Sequence, residues 1–483
     1  MRELSRRKTT AVVLLLVATL TAPLAAQVEH WEEIRIPPLR AMKIEQPKKI
    51  VLGNGMTIFL MEDRELPLIR GSAIVRGGSR DEPAARVGLA DVYGEVWRTG
   101  GTKSKTGDEL DDFLEARAAR VETGSGIDST TIGFDTLKSD FGEVWTIFVD
   151  LLRNPAFRPE KIVLARNQLE TVIARRNDDP LEIAGRESIK LVYGPASPYA
   201  RTIEYATVAA ITRDDLAAWH QRHVHPNNII LGIVGDFDTR SMERTIRGAF
   251  ERWPKGPSIP RADDAITPAE PGMYFVAKDD VTQSNIRIVH LGTTRNNPDY
   301  WALEVMNELF GGGSASRLYG NIRSRKGLAY SVGGGVGSSY DRPGAFRVVM
   351  GTRSGSTAAA IDALLEEIDR LQRDPITPAE LKRAKETILN SYIFRFDRRE
   401  KILNQQMLLA FYGYPPDFIE RYAKEVEKVT AEDVSRVAKK YIDRNRAAIL
   451  VVGRAADFDR PLSTLGPVRT IDITIPERNP SLE

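Results

Sequence analysis

The sequence predicts an α+β protein of two homologous domains, each a mostly antiparallel sheet with helices packed on one face. The first observation behind this prediction is an internal repeat. Residues 211–237, ITRDDLAAWHQRHVHPNNIILGIVGDF, are similar to residues 429–453, VTAEDVSRVAKKYIDRNRAAILVVG, which lie 218 positions later. A second pair of segments, 150–166 and 369–385, repeats at 219 positions. Two matches at nearly one spacing indicate a duplicated domain of somewhat more than about 200 residues.

The second observation is that strand patterns and helix patterns alternate within each copy. The segment KIVLGNGMTIFLM, 49–61, has two apolar runs around Asn-Gly, which suits the type I′ turn of a β-hairpin. Apolar residues within 89–97 recur at spacings of three and four, as on one face of a helix. A Thr-x-x-Asp capping box at 212–215 opens another helix, and the β-branched run 229–235 follows it. The second copy repeats this last order within 430–453.

Domain boundaries follow from the repeat and from the prolines between its copies. Proline cannot continue a helix or a central strand, so a proline-rich stretch indicates an extended linker. Beyond the second copy, 468–475 alternates in polarity and predicts one added strand. The predicted organisation is a signal peptide at 1–26, an N-terminal arm at 27–47, a first domain at 48–253, a Pro-rich linker at 254–272 and a second domain at 273–483.

The N-terminal segment has the pattern of a secretory signal peptide. Arg6, Arg7 and Lys8 precede the apolar run 11–20, and the alanines at 25–26 offer a cleavage site. We therefore expect an exported protein, periplasmic if the cell is Gram-negative, with an uncleaved N-terminal anchor as the alternative. No later stretch is long and apolar enough to cross a membrane, so we expect no transmembrane body.

Composition limits the classes of function open to this chain. Of 483 residues, 42% are hydrophobic and 28% are charged, which is typical of a folded protein. Lys plus Arg is 68 and Asp plus Glu is 66, so the chain lacks the basic field of a dedicated nucleic-acid-binding protein. It contains no cysteine, which excludes thiolate zinc sites, disulfides and thiol catalysis, and only 5 histidines.

Three segments resemble the pitrilysin/insulinase-type (inverzincin) zinc peptidases, a family that includes mitochondrial-processing-peptidase-like proteins. GGGSASRLYGNIRSRKGLAYSVGGGV (311–336) is similar to the signature in the second half of that family. PKKIVLGNGMTIFLMEDRELPLI (47–69) resembles the start of its first domain, and GLADVYGEVWRTGGT (88–102) resembles the helix that carries zinc in active members. The resemblance implies that the two domains form a clam-like pair.

The zinc motif of that family is degenerate in this chain. The motif is H-x-x-E-H on a helix, in which two histidines bind zinc and the glutamate is the general base. The matching positions hold Asp91, Gly94 and Glu95, and no histidine occurs between His30 and His220. The resemblance therefore implies a chain that binds no metal of its own.

The family's downstream zinc ligand, a glutamate, is also absent. Its place is taken by Val172, with Glu170 two residues away. Asp91, Glu95 and Glu170 could together form an oxygen-rich site, which would suit a hard cation better than zinc. The alternative that we favour is that Asp91 and Glu95 lie on the polar face of an amphipathic helix.

The second-half signature is intact. In the family, an Arg and a Tyr seven residues later hold the substrate carbonyl and stabilise the developing oxyanion; the matching residues are Arg323 and Tyr330. A guanidinium and a phenol are both donors that suit a negative oxygen. The structural alternative is an Arg at a helix end, a cap at Gly327 and a Tyr that opens a strand. We expect the glycine runs 311–313 and 333–335 to cap a helix and to permit close backbone approach.

Three of the histidines lie close together in WHQRHVHP. His220 and His223 share a helix face, so a metal site that uses His220, His223 and His225 is one hypothesis. No glutamate stands beside them at catalytic spacing. The favoured interpretation is a helix C-terminus, where the helix dipole favours histidine.

The leading hypothesis is a catalytically incomplete member of the family. The resemblance implies that it is the non-zinc subunit of a two-chain peptidase, supplying Arg323 and Tyr330 to the active site of a zinc-bearing homologue. The zinc is then expected in the partner, and the substrate is an unfolded peptide in extended form. We expect the chain to be inactive alone and active only in the hetero-complex. A non-catalytic scaffold or peptide-binding protein is the alternative.

Overall fold

The computed structural model describes residues 44–259 and 265–478. The predicted signal peptide at 1–26 and most of the predicted arm at 27–47 lie outside the described residues. Among the helices that are described, none has the length and apolar character needed to cross a lipid bilayer.

The first half of the described chain is built on a six-stranded sheet in the order β1-β2-β6-β3-β5-β4. All neighbouring strands are antiparallel except β2 and β6, which are parallel. The strands are β1 Lys48–Val51, β2 Thr57–Glu62, β3 Leu68–Arg76, β4 Arg120–Ser125, β5 Ser129–Leu137 and β6 Ile229–Gly235.

The second half is built on a seven-stranded sheet in the order β13-β7-β12-β8-β11-β10-β9. Its central pairs are antiparallel, whereas β13 with β7, β7 with β12, and β10 with β9 are parallel. The strand predicted near the C-terminus is confirmed as β13. The strands are β7 Gly272–Ala277, β8 Gln283–Leu291, β9 Thr293–Thr294, β10 Ser331–Ser339, β11 Pro343–Arg353, β12 Ala448–Gly453 and β13 Val468–Thr470.

Helices follow the strands in a similar order in both halves. Those of the first half are α1 Leu89–Thr99, α2 Gly107–Glu115, α3 Phe141–Arg153, α4 Pro159–Arg175, α5 Pro180–Tyr193, α6 Tyr205–Ala209, α7 Arg213–His223 and α8 Thr239–Phe250. Those of the second half are α9 Tyr300–Gly311, α10 Thr357–Arg373, α11 Pro378–Tyr392, α12 Arg399–Tyr412, α13 Phe418–Lys428 and α14 Ala431–Tyr441, with a π-helix at Tyr319–Arg325.

Local signals explain where several of these elements begin and end. The side chain of Thr212 accepts from the N–H of Asp215, and the side chain of Thr430 accepts from the N–H of Asp433, so both predicted capping boxes are present. The predicted hairpin joins β1 and β2. Its turn differs from type I′, which needs two positive φ angles, because only Gly55 has one, at +91°.

Each sheet packs its main helical core on one face and receives one helix from the other half on its opposite face. On the first sheet, Phe59 and Ile230 pack against Leu403 and Met407 of α12. On the second sheet, residues of β8 and β12 pack against α5, with Ile183 at the contact. Every residue of β6 is buried for this reason, since both faces of that strand are covered. The α+β fold with two sheets is thus confirmed. We call α5 and α12 the exchanged helices, because each packs on the sheet of the other half, and this exchange was not predicted from the sequence.

Candidate functional site

The helix that matches the family's zinc helix is α1, and it is amphipathic as predicted. Val92, Tyr93, Val96 and Trp97 are fully buried in the core of the first half. The helix starts after Gly88, which has a φ of +101°, a conformation that suits glycine. The polar face of α1 is therefore left at the surface for Asp91 and Glu95.

A buried carboxyl group caps the N-terminus of α1. Glu82 accepts hydrogen bonds from the N–H of Ala90 at 2.5 Å and from the N–H of Gly88 at 3.1 Å. Burial raises the pKa of Glu82 to about 7, although those two bonds act in the opposite direction. Partial desolvation by the surrounding protein also raises the pKa of Asp91, on the first turn of the helix, although that residue reaches the surface. Glu82 lies in a loop without periodicity, so the sequence pattern offered no signal for it.

The three degenerate motif positions do not suit zinc. Asp91 and Glu95 are exposed, four residues apart on α1. Gly94, at the place of the general base, packs directly on β4: an added Cβ would lie 2.9 Å from the N of Ser125 and 3.0 Å from the C of Gly124. These are backbone atoms, so a side chain at position 94 requires the strand or the helix to move. No imidazole ligand is present at these positions, and no base fits between them.

The downstream position differs from the family as well. Val172 is exposed on α4, and the Glu170 carboxylate forms an ion pair with Arg478, with 3.0 Å between Oε2 and Nη2. Within residues 44–259 and 265–478, no three or more His, Cys, Asp or Glu side chains are grouped to hold a metal ion. The oxygen-rich site of Asp91, Glu95 and Glu170 considered from the sequence therefore has no geometric support.

The structure brings Arg323 and Tyr330 together. The Cζ of Arg323 lies 5.0 Å from the centroid of the Tyr330 ring and 4.6 Å from that of Tyr319. The Tyr330 residue is 85% exposed, the largest value among the exposed large hydrophobic residues of the described chain. Arg323 has no carboxylate within ion-pair distance in the described parts of the chain. The pair thus presents a cation and a phenol to solvent, held by a cation–π stack.

The segment that carries Arg323 is a π-helix, which is a rare element often found at functional sites. Its backbone closes with the N–H of Lys326 donating to the carbonyl of Asn321. The Asn321 side chain donates to the buried Glu367 carboxylate at 2.6 Å, which anchors the segment. Gly327 follows with a φ of +64°, the cap conformation named in the structural alternative. The π-helix and the stacking role of Tyr319 were not predictable, since neither has a distinctive spacing.

The glycine runs act as predicted. Gly312 caps α9, and an added Cβ at Gly311 would lie 2.4 Å from the backbone N of Gly334. Helix α9 and strand β10 therefore approach each other closely, which only residues without side chains permit.

The three clustered histidines do not converge on one point: His220 and His223 each have their own partner, and the ring of His225 packs against Gly256. The Nδ1 of His220 is 2.8 Å from the Tyr93 hydroxyl, and the Nδ1 of His223 is 3.0 Å from the carbonyl of Arg76. Burial lowers the pKa of His220 to about 3 and that of His223 to about 4. Both rings are therefore neutral near pH 7 and packed in the interior at the end of α7. Their position at a helix terminus is as interpreted from the sequence, but burial rather than attraction to the helix dipole explains them.

The helix α1 lies beside an outer strand of its sheet. β4 has a hydrogen-bonded neighbour, β5, on one side only. Thr123 of this strand donates to the carbonyl of Gly94 at 2.6 Å, which ties the strand to the helix. An outer strand with free backbone groups can accept an extended peptide as a further strand.

Sequence comparison finds two models of one peptidase family. Residues 72–187 match the family described as insulinase (peptidase family M16), and residues 210–388 match the family described as peptidase M16 inactive domain.

Several bacterial proteins are similar along most of this chain. An uncharacterized zinc protease of Streptomyces coelicolor is 24% identical over 422 residues, covering 85% of this chain and 90% of that protein. An uncharacterized zinc protease of Mycobacterium leprae is 26% identical over 397 residues, covering 80% and 88%.

Two solved structures share the fold. A peptidase M16 inactive domain from Pseudomonas fluorescens has a TM-score of 0.75 at 22% identity, covering 84% of this chain and 98% of that one. A protease from Helicobacter pylori has a TM-score of 0.73 at 17% identity, covering 84% and 99%. At these identities the likeness establishes the fold.

Proposed function

Because this chain belongs to the pitrilysin/insulinase-type peptidase family, M16, we propose that it is the non-zinc subunit of a two-chain peptidase. In this proposal it pairs with a zinc-bearing homologue, which supplies the metal and the general base. This chain supplies Arg323 and Tyr330 to the shared site, where they hold the carbonyl of an unfolded peptide. An exported, periplasmic complex belongs to the same proposal.

The observation that carries the proposal is the contrast between the two halves of the chain. Gly94 leaves no room for a general base, whereas Arg323 has no carboxylate partner among the described residues and contacts the exposed Tyr330. An unneutralised guanidinium beside a phenol suits a negative oxygen that develops during peptide hydrolysis. Evidence for catalytic geometry is therefore concentrated at the second-half signature.

The sheet edge supports the peptide-binding part of the proposal. Strand β4 is an outer strand, and it lies directly against α1. A peptide that adds to this edge would be bound through its backbone, so it needs to be extended and makes few demands on side chains. This mode of binding favours unfolded substrates over folded ones.

The test is co-expression with a homologue that contains H-x-x-E-H. We expect the chain alone to cleave no unfolded peptide and the purified complex to cleave it. In the complex, Arg323→Ala and Tyr330→Phe should each lower kcat by about 100-fold, because each removes a donor to the oxyanion. Lys326→Ala is the matched control, since Lys326 forms only an exposed ion pair with Glu366 in the same region.

Two outcomes would contradict the proposal. Full activity of the complex that carries both substitutions would show that Arg323 and Tyr330 take no part in the reaction. A stable complex that never hydrolyses peptides, even with the unsubstituted chain, would instead indicate a scaffold.

A further inference from the structure

Two arginines lie side by side on the second sheet, on the face opposite its helical core. Arg287 is on β8 and Arg347 is on the neighbouring β11, and the register pairs Arg347 with Val289 and Val349 with Arg287. Residues paired across strands share a face, so the two arginines are diagonal neighbours with Cβ atoms about 7 Å apart. The alternate residues, such as Ile288, point into the helical core instead.

Neither guanidinium is neutralised by the chain. Within residues 44–259 and 265–478, no carboxylate oxygen lies within 4.0 Å of either group. Arg287 makes one long hydrogen bond, 3.5 Å from its Nη1 to the carbonyl of Ile286. Burial lowers the pKa of Arg287, and the charge of Arg347 lowers it further. Arg347 is exposed, so a group from solvent can reach the pair.

On the first sheet, the face that packs against the exchanged helix also carries an arginine, and that arginine is neutralised by carboxylates of the chain. There, Arg70 on β3 forms an ion pair with Asp135 on β5, 2.9 Å between Nε and Oδ2. Glu400 on the exchanged helix α12 lies 3.3 Å from the same guanidinium. The second sheet has two adjacent arginines and no such carboxylate. Two close like charges, one of them partly desolvated, destabilise a fold, so a ligand rather than stability accounts for the two arginines best.

We infer that Arg287 and Arg347 form a binding site for a carboxylate of the peptide substrate. Two guanidinium groups can hold one carboxylate through paired N–H donors. The carboxylate is either an acidic side chain or the C-terminus of the peptide. The inference deepens the proposed function and rests on it for the nature of the ligand, an unfolded peptide whose carboxylates are negatively charged at neutral pH.

The test measures binding, so it needs no turnover. Four fluorescent, unfolded peptides of about ten residues carry Glu or Gln at one central position and a free or amidated C-terminus. Their Kd for the purified full chain is measured by fluorescence anisotropy. Loss of the relevant carboxylate should raise Kd about tenfold, because a charge-assisted pair is lost. The effect of Glu to Gln identifies a side chain as the source, and the effect of amidation identifies the C-terminus.

The arginine variants test the site itself. Arg287→Gln and Arg347→Gln should each abolish the difference between the acidic and neutral peptides, whereas Arg373→Gln on the exposed face of α10 should preserve it. Both site variants should keep or raise Tm, because they relieve repulsion between two cations. A purely structural role would instead lower Tm, which separates the two explanations.

Equal Kd values for all four peptides, or no measurable binding of any of them, would overturn the inference. So would a preference for acidic peptides that survives in both site variants. The proposed function fails separately: a complex that cleaves peptides without any preference for a carboxylate retains the proposed function and refutes this site. A chain that binds acidic peptides through Arg287 and Arg347 but forms no active complex retains this site and refutes the proposed function.

Discussion

Arg80 of the first half and Asp341 of the second half form a buried ion pair, with 2.9 Å between Nη1 and Oδ2. Both side chains are only 7% exposed. Asp128 joins them, accepting from Arg80 at 3.0 Å, from Arg342 at 2.9 Å and from the Tyr412 hydroxyl at 2.8 Å. We call these five residues the central charge cluster. It links the two halves through charges that are mostly removed from water.

Asp128→Asn should strongly destabilise the protein. The substitution removes the carboxylate that binds both Arg80 and Arg342, so only Asp341 and the more distant Asp81, 3.9 Å from Arg80, still face the two guanidinium groups in a poorly solvated place. Breaking a buried charge network in this way costs about 3–5 kcal/mol of unfolding free energy. Chemical denaturation measures the loss. Lys428→Ala, which removes an exposed ion pair with Glu425, is the control and should change stability by less than about 1 kcal/mol. Equal effects of the two substitutions would contradict a structural role for the cluster.

Gly94→Ala should destabilise the protein even though alanine favours helices. Its Cβ would press on the backbone of Gly124 and Ser125, and overpacking of this kind costs about 1–3 kcal/mol. Gly248→Ala in α8 is the matched control, because nothing lies within 4 Å of an added Cβ there. It should raise stability by about 0.5–1 kcal/mol. Thermal unfolding of both variants measures the contrast, and a stabilised Gly94→Ala would refute the close packing of α1 on β4.

Glu82 should make stability fall as pH rises. Its folded pKa of about 7 lies above the ordinary value of 4.5, so the folded state holds the proton more tightly than the unfolded state. The contribution is fully present below about pH 4.5, is lost between about pH 4.5 and 7, and is absent above. Its size is about 2–4 kcal/mol.

Glu82→Gln isolates that contribution, because glutamine keeps an acceptor for Ala90 and has no charge. The stability difference between variant and wild type, measured by urea denaturation across pH, should shift in favour of the variant between pH 4.5 and 7. A difference that is independent of pH would mean that Glu82 titrates at an ordinary value.

The exchanged helices predict how fragments behave. Residues 44–259 expressed alone should leave the apolar surface around Phe59 and Ile230 uncovered, because α12 belongs to the other half. Each half alone should therefore aggregate or bind a hydrophobic dye, whereas the two co-expressed halves should associate and remain soluble. Two halves that each remain monomeric and fold cooperatively by themselves would contradict this expectation.

The elements that the sequence predicted are those with local causes. The helix at α1 follows from apolar spacing, and the capping boxes at Thr212 and Thr430 follow from contacts within four residues. The repeat predicted two similar sheets for the same reason, since each copy carries its own strand patterns. The β-branched run 229–235 likewise predicted strand β6.

What the sequence did not reveal depends on distant partners. The cover over β6 comes from α12, which lies more than a hundred residues away in the chain, and no periodicity states which sheet a helix joins. The cap on α1 comes from Glu82 in an irregular loop, and the stack on Arg323 comes from Tyr319 in a π-helix. For the candidate site, motif spacing located Arg323 and Tyr330, whereas the absence of space at Gly94 depends on how α1 packs against β4, which no spacing reveals.

The exchange of α5 and α12 has a consequence for how this chain can change over time. Each copy of the duplicated unit has a helix whose apolar side packs on the sheet of the other copy. A substitution of Ile183 therefore changes packing against β8 and β12 of the second sheet, not against the sheet of its own half. The two copies can thus diverge at their surfaces, where the first presents Asp91 and Glu95 and the second presents Arg323 and Tyr330. The two copies must remain together, because removing either one would expose the apolar sheet face that its helix covers in the other.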